Sequence, residues 1–244
     1  MQVNWIDDHR FEIGECRFTI DVTPGAKRRL STDNDFTLVK TPHFLAMYDT
    51  LESSLTGKKI LELGLFEGGS LVFFDKRFQP KKLVGIDIRK EPIAPLERYV
   101  EGRGGVVETH YATSQDDEAA LEKICRESFG GEIDVVVDDA SHLYEQTKKS
   151  FDVLFRRLAP GGVYIIEDWA WSYQKPYQDA GHPWFKKTGM ATLLFELVGE
   201  LATSHAIETI TIDKTMAVIT KSRAAPAELT YGRGRLRNRA SPSV

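Results

Sequence analysis

Cysteine is almost absent from this chain of 244 residues, with only Cys16 and Cys125 present. The two stand in unlike contexts and lack a metal-type spacing, which argues against a disulfide framework and fits a reducing compartment. A surplus of one charge is also lacking. With 32 Lys and Arg against 36 Asp and Glu the net charge is −4, which gives no global bias toward nucleic acid or a membrane surface. No run approaches the roughly 18 apolar residues of a membrane span. The start, "MQVNWIDDHRFEIGEC", carries acids where a secretory signal needs a basic start and an apolar run. A cytoplasmic protein is expected. What is present is the ordinary make-up of a globular chain, 41% hydrophobic and 28% charged, long enough for one large domain with appended segments.

The organisation reads in three parts. Residues 1–35 form an N-terminal extension with a short alternating piece, "CRFTIDV", and are expected to serve as a lid or dimer contact. From Phe36 to Leu55 the apolar residues Phe44, Leu45, Tyr48, Leu51 and Leu55 recur at helical spacing, and Gly57 stops the helix. Strand-like runs then alternate with amphipathic helices: "KKILELGL", "KKLVGIDI", "GVVETHYAT", "IDVVVDDA" and "GGVYIIED", with "LAPGG" turning into the last. Near-continuous Val, Ile and Leu runs separated by helices signal an α/β fold, a parallel sheet covered on both faces. "IETITIDKTMAVITK" closes it as a hairpin, which completes a domain over residues 36–221. Residues 222–244, Arg-rich with little apolar content, read as a disordered basic tail.

Ligands in such sheets bind beyond the carboxyl ends of the strands, so the strand ends carry the chemistry. The first ends as "ILELGLFEGGSL", with glycines at 64, 68 and 69 that let the backbone come close to a ligand. This is not the dinucleotide GxGxxG pattern. Glu62 would repel a pyrophosphate but welcome a cationic amino group. The loop resembles motif I of class I S-adenosylmethionine (SAM)-dependent methyltransferases. At the second strand tip Asp87 is placed to accept hydrogen bonds from ribose hydroxyls. At the third, "YATSQDD" offers Ser114, Gln115 or Asp116 to an adenine edge, or equally a helix cap. The fourth and fifth ends, "DVVVDDASH" and "VYIIEDWAW", bring Asp138, Asp139, His142, Glu167 and Asp168 toward one crevice. Crowded carboxylates raise one another's pKa values unless a cation offsets them. A hard divalent ion such as Mg²⁺ would do so. His142 can stay unligated and accept a proton.

"LELGLFEGGS", "GIDI", "DDASH" and "LAPGGVYIIEDWAWSY" together resemble the metal-dependent sugar O-methyltransferases, including macrolide-sugar and rhamnosyl methyltransferases of actinobacterial pathways and cephalosporin-hydroxylase-like relatives. The resemblance covers roughly residues 35–220. It implies a Rossmann-like methyltransferase sheet, mostly parallel with a C-terminal antiparallel hairpin, and both SAM and Mg²⁺ as cofactors. Asp139, Glu167 and Asp168 would hold the metal, and His142, three residues past Asp139, would be the general base, with Asp139 catalytic alongside it. Glu62, Gly64, Gly68, Ser70, Asp87, Ser114 and Gln115 would hold SAM, with Asp138 facing its methionine end or orienting the loop. Trp169, Trp171, Tyr173 and Tyr144 would contact a sugar, although an aromatic in a loop is equally a packing anchor. The expected acceptor is a hydroxyl of a sugar, as a glycoside, an oligosaccharide such as a polymethylated polysaccharide precursor, or an antibiotic sugar, and the expected assembly a homodimer. A catechol or another small natural product is the alternative acceptor. A hydroxylase-like activity is the alternative chemistry, but its two-histidine, one-carboxylate ligand set is not visible.

Overall fold

The computed structural model describes residues 2–23 and 25–224; the tail from residue 225 lies outside the described residues. The N-terminal extension is a folded sheet. Strands β1 (Asn4–Trp5), β2 (Arg10–Ile13), β3 (Cys16–Ile20) and β4 (Asp35–Leu38) pair in that order, the first three antiparallel and the last parallel to β3. Side-chain alternation buries Phe11, Ile13, Phe18 and Ile20 on one face and leaves Arg10 and Arg17 in water. The helix expected from Phe36 begins later: α1 (Pro42–Thr50) and α2 (Glu52–Leu55) follow the strand. Phe36 and Leu38 belong to β4 because their alternation fills the small sheet's core, and Pro42 suits the first turn of a helix.

The main domain runs β5 (Lys59–Leu63), α3 (Gly69–Phe78), β6 (Lys82–Ile86), α4 (Ala94–Glu101), β7 (Val107–His110), α5 (Glu118–Phe129), β8 (Ile133–Asp138), α6 (Tyr144–Arg157), β9 (Leu158–Glu167), α7 (Ala191–Thr203), β10 (Ile207–Ile212) and β11 (Met216–Lys221). The seven strands lie in the order β10-β11-β9-β8-β5-β6-β7, parallel from β9 to β7, with β11 antiparallel to both its neighbours. The expected α/β sheet with its antiparallel hairpin is therefore present. The "LAPGG" segment differs: it belongs to the start of β9 as an irregularity, Leu158 facing Ile133 while Val163 faces Val135.

Alternation along the buried strands feeds two cores. Ile60, Val135 and Val137 point to the side of α1, α3, α4 and the small sheet, and Leu61, Leu63 and Val136 to the side of α5, α6 and α7. Phe11 and Phe18 stack at 5.0 Å, and both meet Phe73 of α3 edge-on at 6.2 Å. Each fully buried Phe contributes on the order of 2 kcal/mol, enough to fix the small sheet onto α3. Strand order reverses between β5 and β8, and that switch point opens the crevice where the site lies. Among the described residues no helix is long and apolar enough to cross a membrane.

Candidate active site

The crevice starts with a close approach of backbones. Gly64, at φ +92°, lies so near the tip of β8 that a Cβ would stand 2.3 Å from the Asp139 carbonyl oxygen. A Cβ on Gly69 would stand 2.0 Å from the Thr37 carbonyl, which brings the small sheet's last strand against the start of α3. Two adjoining cavities result. One of about 190 Å³ is lined by Lys40, Gly64, Leu65, Ser70, Asp87 and Asp139. The other, about 440 Å³, is lined by Gly64, Asp87, Thr113, Ser114, Gln115 and Ser141. They share Gly64, Asp87 and Ala140, and together they reach the size that takes a cofactor-sized ligand. Gly68 is the N-cap of α3 and faces Leu96.

Asp87 sits between the two cavities, its Oδ2 accepting the amides of Leu65 (2.9 Å) and Phe66 (3.1 Å) and its Oδ1 that of Arg89 (2.8 Å). Glu62 is fully buried beneath the glycine loop, and neither of its carboxylate oxygens has a hydrogen-bond partner. Burial pushes its pKa up to about 8, against the opposing pull of Lys40 and the nearby Ser70 hydroxyl.

Asp138 lines neither cavity. It accepts from Gln115 Nε2 (3.0 Å), Ser150 Oγ (2.9 Å) and the Tyr164 hydroxyl (2.8 Å). Gln115 in turn accepts the Ser141 amide at 2.8 Å, so Asp138 fixes the cavity wall from behind. Its carboxyl is raised by burial and pulled back by these donors.

Asp139, by contrast, faces the crevice. Ligand atoms of Asp139, His142 and Asp168 lie within 4.8 Å of one another, with His142 Nε2 3.9 Å from Asp139 Oδ1. His142 and Asp168 both adopt left-handed backbone, at φ +54° and +51°, as does Phe66 at +50°. Such strain in side-chain-bearing residues gathers at functional sites. Glu167 stands behind this group. Its Oε2 accepts from Lys40 Nζ at 2.6 Å and its Oε1 from the Tyr48 hydroxyl. Lys40 also donates to Asp139 Oδ2 at 2.8 Å. Burial raises the Glu167 carboxyl to about 7, helped by Asp139 and opposed by Lys40. For Lys40 burial works against the charge, but Asp139, Glu167 and Glu62 outweigh it and hold the ammonium protonated. Sequence reading missed Lys40 and Tyr48, because their partners lie 127 and 119 residues away. The one available signal was a lone lysine, "TLVKTP", ending an apolar strand.

The aromatic residues divide. Trp171 is buried, edge-on to Tyr177 and Trp184 at 5.0 Å each, and its Nε1 donates to the His142 carbonyl. It is a packing anchor that fixes the loop carrying His142. Trp169 donates to the Asp213 carbonyl at 2.7 Å and meets Tyr173 edge-on at 6.3 Å, with Tyr173 exposed. Tyr144 is tied to Glu196 of α7 at 2.6 Å.

Residues 61–169 match a family described as a methyltransferase domain. The chain is 33% identical over 153 residues to the L-olivosyl-oleandolide 3-O-methyltransferase of Streptomyces antibioticus, covering 60% of this chain and 36% of that one. It is 35% identical over 113 residues to the 8-demethyl-8-alpha-L-rhamnosyl tetracenomycin-C 2'-O-methyltransferase of Streptomyces olivaceus, 46% of this chain and 27% of that one. The chain thus spans about a third of the length of these curated relatives. Among solved structures, the MycE methyltransferase of the mycinamycin biosynthetic pathway, in complex with Mg and SAH, superposes with a TM-score of 0.58 at 24% identity, over 78% of this chain and 51% of that one. Residues 61–169 thus match a methyltransferase-domain family, in a chain that shares the fold of a solved methyltransferase and is similar over part of its length to sugar O-methyltransferases.

Proposed function

We propose that this chain is a SAM-dependent O-methyltransferase that modifies a sugar hydroxyl with the help of Mg²⁺. The observation that carries the reading is one juxtaposition. An unpartnered buried carboxylate, Glu62, lies under the glycine loop, and Asp139, His142 and Asp168 converge at the neighbouring strand ends. A ligand with an ammonium group satisfies Glu62, whereas a pyrophosphate there would be repelled. The carboxylates fit a hard cation that favours oxygen donors. The names of the relatives, methyltransferases of rhamnosyl and olivosyl groups, support a sugar acceptor.

In this reading SAM supplies the methyl group, held by Asp87, Ser114 and Gln115 across the two cavities, with Glu62 buried beneath the glycine loop that they share. Asp139 and Asp168, with Glu167 behind them, would hold the ion, which when bound favours ionisation of a neighbouring hydroxyl and fixes its place. His142 Nε2 receives the hydroxyl proton as the acceptor oxygen attacks the methyl carbon and the carbon–sulfur bond breaks. Trp171 and the left-handed backbone of His142 set the imidazole's direction. Much of the acceleration comes from holding oxygen, carbon and sulfur in register. Trp169 and Tyr173 offer the sugar its stacking surface. A cytoplasmic homodimer belongs to the same reading.

The test is transfer from methyl-labelled SAM to a rhamnoside, a mannoside and a catechol, each with Mg²⁺ and with EDTA. Label should enter a glycoside, vanish with EDTA and return with excess Mg²⁺. Label entering only the catechol overturns the sugar assignment, and indifference to EDTA overturns the metal.

A further inference from the structure

Helix α7 packs Leu193, Leu194 and Leu197 into the core and turns a second apolar row outward. Phe195 is 57% exposed, Val198 45% and Leu201 36%. They recur every third residue, so they line one side of the helix. Glu196 fixes which side that is. It accepts from the Tyr144 hydroxyl and Lys148 Nζ of α6, each at 2.6 Å, so its own flank faces α6. Val198 and Leu201 lie about 160° and 140° round the helix from Glu196, and the row therefore looks away from α6. On that side α7 covers β10, where the sheet ends.

Among the described residues β10 pairs with β11 alone. The Asp213 amide donates to the Met216 carbonyl at 2.9 Å, which turns the peptide groups of Thr211 and Thr209 toward β11 and those of Ile210 and Ile212 toward the open edge. Such a row of unpaired amides and carbonyls is a template for another strand. Ile210 packs partly against the core under α7, and Ile212, 45% exposed, shares its face. The charges say which strand fits. An edge that pairs antiparallel with its own copy does so about a two-fold axis. Setting Ile210 against the partner's Ile212 puts Thr211 on that axis. It also brings exposed Glu208, at one end of the strand, opposite the partner's Lys214 at the other, and does so twice. Glu208 stands at the strand's irregularity toward β11, where its carboxylate accepts the Arg223 amide at 3.4 Å. Setting Ile210 against its own copy would instead place the Glu208 carboxylate on the partner's Ile212.

We propose that the α7–β10 edge is the interface of a two-fold homodimer, in which β10 pairs antiparallel with β10 of a second copy and the two α7 rows pack on each other. The inference rests on the homodimer of the reading above and names its face and register. The Phe195, Val198 and Ile212 side chains supply the buried area, and the two ion pairs select the register. The interface also abuts the crevice. Lys214 stands in the turn whose Asp213 carbonyl accepts from Trp169 and whose Thr215 carbonyl accepts the Asp168 amide. A second copy on β10 therefore braces the turn that holds the acceptor side of the site.

The experiment is sedimentation velocity of the full chain across the micromolar range, which needs neither cofactor nor acceptor. The wild type should sediment as a dimer. Val198→Glu should weaken association by about a hundredfold or more, because a two-fold interface takes each change twice. Glu208→Lys and Lys214→Glu should each weaken it by about tenfold, since either sets like charges opposite each other. The double variant carrying both changes should return to within about threefold of wild type, a rescue that loss of packing does not produce. This arm decides even if Val198→Glu fails to fold. A wild-type dimer that the charge reversals leave unchanged overturns this face and leaves the homodimer standing. A folded wild-type chain that stays monomeric overturns the homodimer, and the inference with it.

Discussion

Asp87 Oδ2 lies 2.9 Å from the Leu65 amide, so the tip of β6 clasps the loop that leaves β5. One carboxylate thereby shapes the glycine loop and faces both cavities. Asp87→Ala frees three amides and should cost about 1–3 kcal/mol of stability, measured by urea unfolding. Calorimetry should show S-adenosylhomocysteine binding weakened by about tenfold or more, the loss of roughly 1.4 kcal/mol. Unchanged affinity would remove Asp87 from the cofactor site.

His142 is the imidazole that stands with Asp139 and Asp168, their ligand atoms all within 4.8 Å of one another. His142→Ala should lower kcat by about 10²–10⁴-fold, the usual worth of a general base. Binding of S-adenosylhomocysteine should stay near wild type, because His142 lines neither of the two cavities proposed to hold it. Turnover close to wild type would show that another group takes the proton.

Glu62 makes a pH signature. Its folded pKa is about 8, above the ordinary glutamate value, so the folded state binds a proton that the unfolded state releases. Its contribution is most favourable below about pH 4, is lost progressively as pH rises, and reaches its full cost, on the order of a few kcal/mol, above about pH 8. Glu62→Gln removes that cost. The variant's melting temperature should therefore gain on wild type between pH 5 and pH 8, while its affinity for S-adenosylhomocysteine falls if Glu62 partners the ammonium as proposed. A melting-temperature difference independent of pH would contradict the assignment.

Asp138 acts at one remove. Asp138→Ala leaves Gln115, Ser150 and Tyr164 without their common acceptor and should destabilise the fold by about 3 kcal/mol. If it serves the cofactor through Gln115, Asp138→Ala and Gln115→Ala should weaken S-adenosylhomocysteine binding non-additively. Full additivity in calorimetry would mean that the two act separately.

Legibility followed the range of the interactions. The alternation of buried strands and helices is local, and so are the glycine turn after "ILEL" and the acids that end each strand. Those features placed Asp87, Asp139, His142 and Asp168 at one end of the sheet before any coordinates. The two aspartates of "DD" divide, because neighbouring residues on a strand point to opposite faces. Asp138 accordingly turns into the layer under β8, with Gln115, Ser150 and Tyr164, while Asp139 turns to the crevice.

What the sequence by itself determined is the layer architecture and the chemistry available at the strand ends, since both follow from hydrophobic period and residue type. What only the tertiary structure decided is how that chemistry is divided. Trp171 became an anchor because Tyr177 and Trp184 close around it. The N-terminal segment became part of the site because its phenylalanines pack on Phe73. Glu167 became the partner of Lys40 because burial makes an unpaired charge too costly, and only the folded chain brings the two within 2.6 Å.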